Sequence, residues 1–126
     1  MFVAWAMLND LAGTIHTADF PDDVAKLRRR DLTPGAWFIE TCDGKFTNED
    51  LNQEGNAFAQ AYYANDSGMK TGKASYLADY EEAFPGLYSL YHVPDSWKTY
   101  EQIAPTISRR FLKWRKSSKG WRSFFT

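Results

Sequence analysis

The sequence predicts an all-α fold: a single compact domain of five or six helices. Three observations carry this expectation. Apolar residues recur at spacings of three and four rather than alternating, Ser, Thr and Asp stand where helix caps are wanted, and Pro and Gly punctuate the segments between them. With 126 residues, 44% hydrophobic and 17% aromatic, the chain can also bury a sizeable core.

The elements follow in order. Phe2, Trp5, Ala6, Leu8 and Leu11 suit a first helix, with Gly13 placed as its left-handed C-terminal residue. This helix begins without a cap, which suggests either a start short of its relatives or a misplaced start codon. Asp19, Pro21, Asp22 and Asp23 make a second start, and the basic run 26–30 falls at the negative end of that helix's dipole, so a helix over about 20–31 is expected. Arg28, Arg29 and Arg30 then read as helix-end residues before they read as a binding patch. Thr33-Pro34 opens a third helix through Trp37, Phe38 and Ile39, ending near Asp43-Gly44.

Thr47 with Asp50 three residues on is a near capping box, and Leu51, Phe58, Ala61 and Tyr62 continue at helical spacing to Asn65. Gly55 inside that helix costs roughly 1 kcal/mol relative to Ala, a sign of close approach by a neighbouring element. Residues 65–74 read as a loop, Ser75 as the cap of a helix over 76–84, and residues 87–93 as a packed loop. Asp95-Ser96 cap a last helix over about 97–116, whose stripe is Trp97, Tyr100, Ile103, Ile107, Phe111 and Trp114. Pro105 is expected to kink or split it. The expected core adds Trp5, Leu8, Trp37, Phe38, Phe58, Tyr62, Leu77 and Tyr80 to this stripe.

Several function classes lose support at once. The run 2–8 is far short of the roughly 20 apolar residues a bilayer crossing needs, and it lacks the flanks of a secretory signal. A cytoplasmic protein without membrane attachment is expected. A lone cysteine, Cys42, cannot form an internal disulfide and is expected to rule out a cysteine-based metal site, leaving it as a small core or helix-end residue. His16 and His92 are the only histidines and lie too far apart to present two ligands from one helix, so no metal is expected. His92 reads as a hydrogen-bonded, partly buried residue rather than a catalytic base. The loop Gly68-Met69-Lys70-Thr71-Gly72-Lys73 has three residues between its glycines and Ala74 after its lysine, so it fails as a nucleotide-binding loop. No catalytic residue and no cofactor is assigned.

The charge is uneven. Residues 1–101 carry 8 basic and 16 acidic side chains, and residues 102–126 carry 7 basic and none acidic. An acidic body with a basic tail either docks that tail on itself or offers a surface to a charged partner. Seven tyrosines within 39 residues (Tyr62, Tyr63, Tyr76, Tyr80, Tyr88, Tyr91 and Tyr100) exceed what a plain apolar core requires and suit a protein-binding surface. The tail, residues 117–126 included, interleaves cations with aromatics as single-stranded nucleic-acid binders do. Its spacing favours a buried helical stripe, and nucleic-acid binding is disfavoured.

The segments DLNQEGNAFAQAYY at 50–63, YLADYEEAF at 76–84 and LYHVPDSWKTYEQIAPTISRRFLKWRK at 90–116, together with MFVAWAMLNDLAG at 1–13, resemble an uncharacterised bacterial family of small proteins carrying a domain of unknown function. Relatives typically have an extra N-terminal stretch before the first helix, and the ending WRSFFT is not a feature of the family. The resemblance implies an intracellular bacterial domain and transfers no catalytic residue. Small families of this kind often include immunity proteins encoded beside toxins, an analogy of type alone. The expected function is a cytoplasmic protein-binding module, an immunity-type inhibitor that occludes a toxin through an acidic, tyrosine-rich face formed by Glu54, Tyr62, Tyr63, Asp79, Tyr80, Glu81 and Glu82. The alternatives are a small enzyme using a carboxylate pair with His92, and nucleic-acid binding through the tail.

Overall fold

In the computed structural model, which describes residues 1–64, 75–86 and 92–117, those residues form six α-helices and no strand beyond one isolated bridge. They are α1 (Phe2–Leu8), α2 (Pro21–Arg28), α3 (Pro34–Cys42), α4 (Gln53–Ala61), α5 (Tyr76–Ala83) and α6 (Trp97–Ser117). A π-helical turn, Ile15–Asp19, precedes α2, and a 3-10 turn, Asn48–Asp50, precedes α4. The 68–73 loop, most of the 87–93 segment and tail residues 118–126 lie outside the described residues.

Every residue of α1 from Phe2 to Met7 is buried, because the helix is apolar on all sides and the others surround it. It packs against α2, α3 and α6, and α5 packs on α6. Indole N–H groups are satisfied as burial requires: Trp5 donates to Ser108 Oγ at 2.9 Å, Trp37 to the Asp23 carbonyl at 2.7 Å and Trp97 to the Leu32 carbonyl at 3.0 Å. The stripe on α6 is buried at Tyr100, Ile103, Ile107 and Phe111, with Trp97 and Trp114 packed at its ends. The helix runs unbroken through Pro105, whose ring sits on the exposed side, so the proline does not split it.

Most capping expectations hold. Thr33 accepts from Ala36 N, Ser75 from Ala78 N and Ser96 from Thr99 N. Asp95 instead reaches α3, accepting from Gly35 N at 2.8 Å and from the Thr33 hydroxyl. Phe20, not Asp19, occupies the cap position of α2, and Leu77 of the expected core is 40% exposed.

Two expectations fail for tertiary reasons. The chain after Thr47 does not form one helix to Asn65. Gly13 N donates to the Asp50 carbonyl, Asn52 N to the Leu11 carbonyl, and Ala12 bridges Leu51, so Leu51 and Asn52 are extended and Asn52 caps α4 afresh. Gly13 is not the left-handed residue after α1 either; Asp10 is, with φ 63°. Gly13 is needed because a Cβ there would collide with the Glu49 carbonyl oxygen and stand 3.0 Å from that of Leu51. Gly55 meets Leu11 in the same way, its virtual Cβ 2.9 Å from the Leu11 carbonyl oxygen, which is the close approach its position implied.

Candidate functional site

The expected acidic, tyrosine-rich face divides in two. Asp79 on α5 is buried, and Arg110 of α6 holds it with two charge-assisted bonds, Nε to Oδ2 and Nη2 to Oδ1, both 2.9 Å. The Tyr62 hydroxyl donates to Asp79 Oδ2 at 2.6 Å. Burial first, then this bond and the carboxylate's charge, push the Tyr62 phenol well above its usual range. The bond to Asp79 likewise raises the Arg110 guanidinium. Asp79, Tyr62 and Arg110 therefore fasten α5 and the end of α4 to α6, inside the molecule.

The remainder is a surface. Leu77, Glu81 and Glu82 on α5 are exposed, and Tyr63 is 43% exposed. Tyr76, Tyr80 and Phe84, at helical spacing, form a ladder with ring centroids 5.5 and 5.0 Å apart. Tyr63 extends it, 5.3 Å from Tyr76 and stacked 4.9 Å from Phe2. Glu54 stands apart, 3.7 Å from Arg115, and with it lines a cleft of about 610 Å³ together with Asn9, Asp10, Leu11, Asn52, Gln53 and Phe111. Neither Asp79, Glu82 nor the exposed His92 lines that cleft, so the carboxylate–histidine arrangement an enzyme would need is not assembled there. Within α6, Arg110 and Arg115 face acidic partners, the internal docking that the basic tail allowed.

A second cluster was not legible from spacing. The π-turn carries His16, held where its own N–H and that of Thr17 donate to the Gly13 carbonyl. Asp50 closes the capping box by accepting from Thr47 N at 2.8 Å through Oδ2, and its Oδ1 lies 2.9 Å from His16 Nε2. Cys42, the last residue of α3, completes the group: one imidazole nitrogen, the thiol sulfur and one carboxylate oxygen lie within 4.8 Å of one another. Burial, then the neighbouring Asp50 carboxylate, pushes the Cys42 thiol up to about 12, so it is protonated at neutral pH and is no activated nucleophile. His16 is 3% exposed, its ring centroid is 5.7 Å from that of Trp37, and its Nδ1 is buried without a hydrogen-bond partner.

A family model described as a domain of unknown function, DUF7832, matches residues 1–93. The chain belongs to that family. The match spans α1 to α5 and contains His16, Cys42, Asp50 and Asp79, whereas α6 with Arg110 lies beyond it. No curated protein and no solved structure matches the chain.

Proposed function

We propose that this DUF7832 member is a protein-binding module that works in the bacterial cytoplasm as an immunity-type inhibitor, engaging the basic active site of a toxin through the outer surface of α5. The observation that carries this reading is the pairing of partly exposed aromatic rings with unburied carboxylates: Tyr63, Tyr80 and Phe84 beside Leu77, Glu81 and Glu82. Carboxylates speed encounter with a basic partner, and aromatic anchors slow its release. The surface is smaller than the sequence suggested, since Tyr62 and Asp79 serve the interior and Glu54 lies beside Arg115. No helix among the described residues is long and apolar enough to cross a membrane, which accords with a partner met in solution.

The test is protection. Expression beside a toxin encoded by a flanking gene should restore growth, and Glu81→Lys with Glu82→Lys should abolish protection while leaving the melting temperature unchanged. Protection that survives these reversals together with Tyr63→Ala would place the contact elsewhere and overturn the reading.

A further inference from the structure

His16, Cys42 and Asp50 share no residue with the α5 surface, and the capping role of Asp50 does not account for all of them. Asp50 needs only the Thr47 N–H to close its box. The fold nevertheless brings an imidazole and the chain's single thiol against the same carboxylate, from positions 16, 42 and 50. The nitrogen that faces this carboxylate is Nε2, 2.9 Å from Asp50 Oδ1, so an ion shared with Asp50 and the Cys42 sulfur would take the Nε2 electron pair while Nδ1, across the ring, carries the proton.

The geometry points to a metal site: His16, Cys42 and Asp50 bind a divalent transition-metal ion of zinc-like softness. One nitrogen, one sulfur and one oxygen donor form a mixed set that zinc accepts, at bond lengths of about 2.0–2.3 Å. Donor atoms already within 4.8 Å of one another need only a small contraction to surround such an ion. Three protein ligands leave a fourth position for water or a partner's side chain. Binding replaces the Cys42 S–H bond by a metal–sulfur bond and releases that proton to solvent. The Asp50 carboxylate and the resulting thiolate then balance the ion's two positive charges, and no electron is transferred.

The test uses the full chain, stripped of metal and titrated with Co²⁺, then with Zn²⁺ in competition. The expected result is one ion per chain, a thiolate-to-cobalt charge-transfer band that Zn²⁺ erases, and a raised melting temperature. Cys42→Ser should remove the band and weaken Zn²⁺ binding by about 100-fold or more, while the metal-free variant melts as the parent does. His16→Gln should weaken binding similarly; if that variant does not fold, Cys42→Ser alone decides. Absence of stoichiometric binding, binding without the charge-transfer band, or Zn²⁺ affinity unchanged in Cys42→Ser would each overturn the proposal.

Discussion

Asp79 shows how one carboxylate on an otherwise exposed helix becomes structural. Its side chain is 4% exposed while that of Arg110 remains 30% exposed, so the pair is partly desolvated and held by three hydrogen bonds once Tyr62 is included. Arg110→Ala would leave a buried carboxylate without its counter-charge, and urea denaturation should register a loss of about 2–3 kcal/mol, below the full range because Arg110 keeps some solvent. Tyr62→Phe removes one neutral donor and should cost about 1 kcal/mol in the same measurement. The buried phenols also set the response to alkali. Burial raises Tyr100 from 10.0 to about 12, and raises Tyr62 and Tyr76 further still. Above about pH 10 the unfolded chain gives up these protons while the folded one keeps them. Stability should therefore be complete below pH 10 and fall as pH rises through 12, by up to about 1.4 kcal/mol per unit for each tyrosine. Unfolding midpoints that stay level across that window would refute the burial of these hydroxyls.

At the level of elements, local signals were legible and long-range ones were not. Thr33, Thr47 with Asp50, Ser75 and Ser96 announce helix starts within three or four residues, and each acts as a cap. The break at residues 50–52 comes from pairing with residues 11–13, which no window around Thr47 contains. The same holds for Asp95 reaching Gly35, for Asp79 reaching Arg110, and for the meeting of His16 with Cys42 and Asp50. The only available hint of that last cluster was compositional: a single cysteine and one of two histidines. The crossing of 11–13 with 50–52 gives a direct prediction. Gly13→Ala must displace the Glu49 and Leu51 carbonyls, so it should destabilise by about 2 kcal/mol or more in thermal or urea unfolding. It should also disturb the Asp50 side chain that lies against His16.

For the molecule as a whole, the family match and the folding unit differ in extent. The match ends at residue 93, yet α6 supplies Ile103, Ile107 and Phe111 to the core around α1 and the Arg110 that neutralises Asp79. Burying those three apolar side chains contributes roughly 6 kcal/mol, comparable with the net stability of an ordinary domain. A chain cut after residue 93 should accordingly lack a cooperative thermal transition and bind hydrophobic dyes. On α5, Asp79 is turned to the interior while Glu81 and Glu82 stay exposed. Urea denaturation of two charge-reversed chains, Asp79→Lys and Glu81→Lys with Glu82→Lys, separates the two sides of the helix. The folded state should be lost in the first and the unfolding midpoint should stay close to the parent's in the second; equal effects in the two chains, or a stable Asp79→Lys protein, would refute this division.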